Sequence, residues 1–184
     1  MKHRLMLSVV AACVMTGSVA FAQTMETTPI PKPAKPDFSS MQFMVGTWSC
    51  STKSARRPAP YLATTTYTLD STGYWLIGKT ESKPIPWFPY PSAGTDWITY
   101  DADTGRWIDV SVSDYGGYDL ASSKGWKGNV MVWHDLAAAP GKDVKSSTDT
   151  TNTKVSATKM TAVSTFTTVK GKAVGVKSIC TKES

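Results

Sequence analysis

Short stretches rich in Thr, Val, Ile, Trp and Tyr, separated by glycine-containing turns, make up the chain from Gly46 onward. No window of helical length shows an apolar stripe with a period of 3.6 residues. Two turns share the ending Thr-Gly-x-Trp, at 70–75 and 101–107. Because glycine supplies the positive φ that tight turns need, this pattern predicts one β-hairpin after another.

The pattern predicts ten strands, near 46–55, 62–70, 74–83, 95–101, 106–113, 118–123, 129–136, 143–151, 158–169 and 173–182. Strands joined by tight turns form an antiparallel meander. So long a meander avoids exposed edges by closing on itself or by stacking as a sandwich. The predicted fold is therefore all-β, an up-and-down meander closed into a barrel of about ten strands.

The region before the strands divides into segments of different composition. Residues 1–22 have a basic start, an apolar run and a final Ala-Phe-Ala, which predicts a signal peptide cleaved after Ala22. The alternative is a lipoprotein anchored at Cys13. Residues 23–37 hold four prolines and predict a flexible arm, followed by a single barrel domain over 38–184 that opens with a short helical turn at 41–44.

Charge and hydropathy exclude two classes of partner. The formal net charge is +6 and falls to +4 without Lys2 and Arg4, and the lysines are scattered along the chain. Nucleic-acid binding is therefore not predicted. No segment after the signal peptide is apolar enough to span a bilayer, so the protein is predicted not to be transmembrane. The signal peptide predicts that it is periplasmic or secreted.

Cleavage after Ala22 leaves two cysteines, Cys50 and Cys180, near opposite ends of the domain. In an even-stranded up-and-down barrel, the first and last strands are antiparallel neighbours. Side chains alternate along a strand, so Cys50 shares a face with Trp48 and Cys180 shares one with Val176. If both faces point inward, the two cysteines meet as a disulfide. The alternative is two unpaired buried thiols.

Several motifs carry a family resemblance, in the order Val45-Gly46-Thr47-Trp48, Gly73-Tyr74-Trp75-Leu76-Ile77-Gly78, Trp97-Ile98-Thr99-Tyr100-Asp101, Thr104-Gly105-Arg106-Trp107 and Lys159-Met160-Thr161. The Gly-x-Trp after a helical turn resembles the start of lipocalin and nitrobindin-type barrels. Over residues 43–182 the chain is similar to secreted bacterial domains of unassigned function with this calycin-like barrel. The resemblance implies the fold and a small-molecule cavity. Cys50 and Thr52 stand where nitrobindin-like proteins usually have glycines, a departure from the haem-binding pattern.

The candidate ligand-binding residues are Trp48, Trp87, Phe88, Tyr90, Trp97 and His134. Three of them lie in the proline-rich stretch 84–94, which cannot form a central strand. This stretch either forms a lid over the barrel mouth or seals the core. Trp107 is a candidate for the outer wall, because Ile108, Val110 and Val112 take the opposite face and resemble core residues.

His134 is the single histidine left after cleavage, and one histidine cannot build a multi-histidine metal site. It would serve as an axial haem ligand, as a polar group in a cavity, or as a hydrogen-bonded histidine near a strand end. No metal or cofactor is predicted. The Asp101-x-Asp103-x-Gly105 pattern is interpreted as a turn, since a calcium loop needs an oxygen ligand where Gly105 stands.

Three functional hypotheses follow. The first is a non-catalytic barrel that binds a small apolar or aromatic molecule near the 84–94 loop. The second is an interaction module with a filled core that docks through this loop. The third is an enzyme that uses His134 with Asp96 or Asp109, although the sequence contains no catalytic motif.

Overall fold

The computed structural model describes residues 29–138 and 144–184. All the strands of the described residues lie in one compact unit, Ala34–Ser184. The predicted signal peptide, Cys13 and the first residues of the arm lie outside the described residues. Within the described part, no helix has the length and apolar character needed to cross a membrane.

Twelve strands are present in the described ranges. They are β1 Gly46–Ser54, β2 Tyr61–Leu69, β3 Leu76–Ser82, β4 Ser92–Asp101, β5 Arg106–Ser113, β6 Tyr118–Ser123, β7 Trp126–Lys127, β8 Val130–Ala138, β9 Val144–Ser147, β10 Thr150–Ser156, β11 Lys159–Thr168 and β12 Ala173–Lys182. Ten of them form a closed antiparallel ring in chain order, with β7 and β9 as short additions. The ring closes where β12 pairs with β1, so the predicted up-and-down barrel is confirmed.

One predicted strand is wrong in its extent. The stretch 143–151 contains β9 and only the start of β10, with a break at Thr148 and Asp149. At this break the Thr148 amide donates to the Thr165 carbonyl (2.8 Å), and Asp149 reaches the His134 ring. The local sequence is almost entirely polar, so its alternation could not locate the break.

The two turns that share Thr-Gly-x-Trp are built alike. The Asp70 carboxylate accepts the backbone N–H groups of Thr72, Tyr74 and Trp75. The Asp101 carboxylate accepts the N–H of Asp103 (3.0 Å) and the hydroxyl of Thr104 (2.7 Å). The glycines at 73 and 105 have φ of 75° and 65°, which explains why glycine is needed there. Both motifs are therefore turns.

The seam between β1 and β12 is tied by a covalent bond. Cys50 lies directly opposite Cys180 in the antiparallel register, and their sulfur atoms are 2.03 Å apart. The next inward pair, Thr52 and Ser178, adds a hydroxyl–hydroxyl hydrogen bond of 2.7 Å. The first and last strands are thus held side by side, as the even strand count predicts.

One end of the barrel, here called the closed end, is filled by a 3-10 helix, Ser39–Met44. The Ser39 N–H donates to the Asp37 carboxylate (2.9 Å) at the start of this helix. Met41 is fully buried, and the fully buried Trp48 donates its indole N–H to the Met44 carbonyl (2.7 Å). The side chains of the plug and of the strands around it are Phe38, Met41, Met44, Leu76, Ile98, Trp107, Ala121, Met131 and Trp133.

The inner and outer faces predicted for β5 are exchanged in the structure. Trp107 is buried in the closed end, with its ring 5.3 Å from that of Phe38. Since neighbours in a strand alternate, Ile108, Val110 and Val112 face outward. The inward positions that follow Trp107 are Asp109 and Ser111. On this strand the apolar face is the outer one, so the more apolar face did not identify the core.

Replacing both cysteines with alanine (C50A/C180A) should lower the free energy of unfolding by about 2–5 kcal/mol, because the bridge joins residues 130 positions apart. Urea unfolding followed by tryptophan fluorescence measures this. A reducing agent should destabilise the wild type similarly and leave the double variant unchanged. Equal stability of the oxidised wild type and the variant would contradict the importance of the seam.

Candidate ligand-binding site

Beyond the plug, the barrel interior is polar and reached by solvent. The inward side chains here are half-buried, whereas those of the plug are buried. The polar ones are Thr52, Thr80, Asp96, Asp109, Ser111, Asp119, Asp135, Asn152, Ser164 and Ser178, and the apolar ones include Ala162, Phe166 and Val176. Three other inward residues at this end are buried, namely Ser82, Thr168 and Val174. Solvent therefore reaches only part of this end of the barrel. We call the part of the barrel interior that these half-buried residues line the cup.

One wall of the cup carries four carboxyl groups, on four neighbouring barrel strands. Register places Asp96 of β4 and Asp119 of β6 on either side of Ser111. Asp109 of β5 and Asp135 of β8 flank Ala121 in the same way. Every one of these positions alternates with an outward apolar or aromatic neighbour. We call these four residues the acidic wall.

A glycine lets a tyrosine and a carboxylate approach each other at this wall. A Cβ atom on Gly78 would lie 2.5 Å from Cε1 of Tyr67 and 2.9 Å from Oδ2 of Asp96. Such distances are well inside van der Waals contact, so any larger residue would displace one of them. Gly78 is therefore required by the site and not by its own backbone conformation.

Burial and mutual repulsion make the acidic wall hard to ionise completely. Burial raises the pKa of Asp109 to about 8, with further contributions from the charges of Asp96 and Asp119. Burial, and then Asp119, raise the pKa of Asp96 to about 6. The pKa of Tyr67 is also raised, by burial and by Asp96 and Asp109. Near neutral pH the wall therefore holds both protonated and ionised carboxyl groups.

The remaining two carboxyls extend this repulsion along the wall. Burial, with the charge of Asp135, raises the pKa of Asp119. Burial, with the charge of Asp149, raises the pKa of Asp135. Asp135 also accepts a hydrogen bond from the Ser147 hydroxyl.

Nothing in the described residues neutralises this wall. Asp109 Oδ1 is buried without a hydrogen-bond partner, and Asp96 has no hydrogen bond or ion pair there. The inward lysines lie at the closed end, where aromatic rings hold them. Lys182 Nζ donates to the Phe43 carbonyl (3.0 Å) and lies 5.5 Å from the Trp48 ring, and Lys154 Nζ lies 4.6 Å from the Phe43 ring. The inward lysines therefore contact aromatic rings at the closed end and not the carboxyl groups of the acidic wall.

The open end is bordered by an aromatic rim centred on Phe88. Its ring centroid lies 5.7–6.2 Å from those of the neighbouring aromatics. These are Tyr61, Trp87, Tyr90 and Tyr115. The Trp87 indole N–H donates to the Ala59 carbonyl (3.0 Å), and the Tyr115 hydroxyl donates to the Pro91 carbonyl (2.7 Å). The loop that borders the mouth ends before Ser92, because the last three residues of the predicted 84–94 stretch already belong to β4. The 3-10 helix seals the opposite end.

The predicted candidates fall in three places. Trp48 belongs to the plug at the closed end, and Trp87, Phe88 and Tyr90 belong to the rim. Trp97 lies on the outer wall, in a groove of about 420 Å³ with Trp75, Ile77 and Val110. The structure does not bring Trp97 together with the rim residues.

His134 also faces outward, opposite in direction to the buried Trp133. Its Nδ1 lies 2.7 Å from Asp149, with 46% and 51% of the two side chains exposed. The barrel wall therefore separates His134 from Asp96 and Asp109. The pairing that the enzyme hypothesis needs is not formed. A haem inside the barrel does not fit this histidine as its axial ligand.

Another groove lies outside the cup. It has a volume of about 720 Å³ and runs over the outer faces of β12, β1, β2 and β3 beside the start of the 84–94 loop. Outward residues such as Ser49, Leu62 and Ile179 line it. The acidic wall faces the other side of the sheet, so the groove and the cup are separate.

Sequence reasoning missed most of the acidic wall. The sequence suggests Asp96 and Asp109 only as partners of His134, and no local pattern connects them with Asp119, Asp135 or Tyr67. The signal was present in β5, where Asp109 and Ser111 alternate with Ile108 and Val110. That alternation is strict, but it does not say which face is inside.

Comparisons with known proteins assign no family to this chain. No family model matches the chain, and no curated protein matches it. The structure of EF1p2_mFAP2b bound to DFHBI is similar over 78% of this chain and 97% of that one, with 11% identity and a TM-score of 0.41. A protein of unknown function from the DUF3598 family of Nostoc punctiforme PCC 73102 matches 78% of this chain and 49% of that one, with 12% identity and a TM-score of 0.48.

Asp109 should make the fold less stable as the pH rises. Its folded-state pKa exceeds the unfolded value, so its contribution is complete below about pH 4 and is lost as the pH approaches 8. Asp109→Asn removes this titration. The free energy of unfolding of the variant relative to wild type should therefore rise by about 1 kcal/mol or more between pH 5 and pH 8.

Urea unfolding at the two pH values measures the difference. The control is Asp103→Asn, which makes the same substitution in an exposed turn. If D109N followed the control, Asp109 would not be a buried carboxyl of raised pKa.

Proposed function

We propose that this protein is an exported, non-catalytic barrel that binds a small organic molecule in the cup. The barrel provides a shielded interior, and the aromatic rim provides flat apolar contacts at its mouth. Ligand pockets commonly combine such apolar surfaces with a few directed polar groups. The ligand is a molecule with an aromatic or other apolar part.

One observation carries the proposal: the interior changes from buried to half-buried along its length. An interaction module would need a core packed with side chains along the whole barrel. Buried, packed side chains occupy the closed end, whereas many inward side chains beyond it are half-buried. A half-buried polar interior with a sealed floor is a space in which a molecule can be enclosed. The rim residues Tyr90 and Tyr115, which are 59% and 57% exposed, are accessible to an entering ligand.

Export is part of the same proposal. A bonded cysteine pair is typical of an oxidising compartment, which supports a location outside the cytoplasm. We propose that cleavage after Ala22 releases a chain beginning at Gln23 into the periplasm or the medium. The intact mass of protein taken from the exported fraction would show this start, whereas a lipid attached at Cys13 would contradict it.

Binding in the cup can be tested with Nile red, a neutral dye whose fluorescence increases in apolar surroundings. Wild-type protein should enhance its emission saturably. Ala162→Phe should reduce the affinity at least about tenfold, because Ala162 is an inward, half-buried residue of β11 and phenylalanine would occupy the space. Ser164→Leu, also inward, provides a second and smaller obstruction.

The matched control is Val163→Phe, which adds the same aromatic ring at a neighbouring outward position that is 47% exposed. It should bind Nile red like the wild type. Circular dichroism confirms that each variant is folded. Equal loss in V163F, or full binding by folded A162F and S164L, would place the dye outside the cup and contradict the proposal.

A further inference from the structure

We infer that the ligand of the cup is an organic cation, a protonated or quaternary amine attached to an aromatic or apolar group, which the acidic wall binds. This inference rests on the proposed function, since it specifies the chemistry of the molecule held in the same space. It predicts charge selectivity, which shape and apolar contact alone would not produce.

The barrel register brings the carboxyl groups of the acidic wall together. Four aspartates on β4, β5, β6 and β8 face inward within a few residues of one another across the register. The whole chain is basic, with a formal net charge of +6, so an acidic interior is not the consequence of an acidic composition. Charged groups facing a shielded space act more strongly on a ligand than groups on an open surface.

One carboxyl oxygen of the acidic wall lacks a hydrogen-bond partner. A buried carboxylate oxygen normally has a hydrogen-bond donor, and leaving it without one is unfavourable. Asp109 Oδ1 is buried without a donor in the described structure. The two inward lysines do not supply one, because they contact the rings of Phe43 and Trp48 at the closed end. A cationic ligand would neutralise the carboxyls of the wall, and an ammonium N–H would also supply the missing donor.

An organic cation fits the acidic wall better than a metal ion does. Among the residues that the structure describes, no three acidic, histidine or cysteine side chains gather closely enough to hold a metal. The carboxyls are spread along a wall and bordered by the aromatic rim. Such a wall fits a diffuse cation with an attached apolar part. Aromatic faces attract cations, and the rim residue Trp87 already carries one, the Arg57 guanidinium, whose central carbon lies 4.7 Å from the ring centroid.

Ionisation of the wall should control the affinity. Asp109 faces Asp96 on β4, Asp119 on β6, Asp135 on β8 and Tyr67 on β2, and none of these groups is cationic. Protonation weakens the attraction for a cation, and burial gives Asp109 and Asp96 pKa values of about 8 and 6. Cation affinity should therefore increase as the pH rises through this interval, and a bound cation should lower both pKa values.

The test uses three probes that share a phenyl ring and differ in charge. They are trimethyl(phenyl)ammonium, N,N-dimethylaniline and benzenesulfonate, measured by isothermal titration calorimetry at pH 8. The cation should bind at least about tenfold more tightly than the neutral probe, and the anion more weakly still. Affinity for the permanent cation should fall between pH 8 and pH 5.5, where only the protein changes its charge.

Two variants connect this selectivity to the wall. Asp96→Asn/Asp109→Asn should lose the preference for the cation over the neutral probe and should lose its pH dependence. The control is Asp103→Asn, which removes one exposed negative charge elsewhere. Thermal unfolding confirms that the variants are folded, and Asp119→Asn, on a less enclosed residue, provides a milder change in the same direction.

The outcomes distinguish this inference from the proposed function. Binding of Nile red or of the neutral probe in the cup, without preference for the cation, would overturn the inference and leave the function standing. Absence of binding by every probe would contradict both. Cation preference that persists in D96N/D109N would place the recognising charge elsewhere and also overturn the inference.

Discussion

The pairing of β1 with β12 is the constraint on which the rest of the structure depends. In a closed barrel every strand has two neighbours, so the register at one seam is transmitted around the ring. Cys50 opposite Cys180 fixes that register covalently. Because side chains alternate strictly, a slip of one residue would exchange the inner and outer faces of a strand. The seam therefore determines which side chains form the plug and which form the acidic wall.

With this register, the inner face of the wall from β4 to β8 carries acidic side chains and the outer face carries apolar ones, the reverse of an ordinary hydrophobic core. Trp97, Val110 and Leu120 lie on the outside, while aspartates face the interior. Burying carboxyl groups without partners costs stability, and such costs are concentrated at functional sites. The closed end compensates with a dense plug of methionine and aromatic side chains. Stability and recognition are thus assigned to opposite ends of one barrel.

Much of the fold could be predicted from the sequence, because its signals are local. Gly73 and Gly105 mark turns, and two cysteines in the first and last strands indicate how the ring closes. The site could not be predicted in the same way. Alternation in β5 gives two faces without saying which is inside, and apolarity favoured the wrong one. The acidic wall exists only after four strands are in register. The polar break at Thr148 and Asp149 lacks any apolar pattern.

The central claim is that unpaired carboxyl groups face a solvent-reached interior. NMR titration of the aspartate side-chain carboxyl carbons measures it most directly, in free protein and with trimethyl(phenyl)ammonium bound. The account predicts that Asp109 and Asp96 titrate near pH 8 and 6 in the free protein and at lower pH in the complex. Titration of both groups near pH 4, unchanged by the cation, would contradict it.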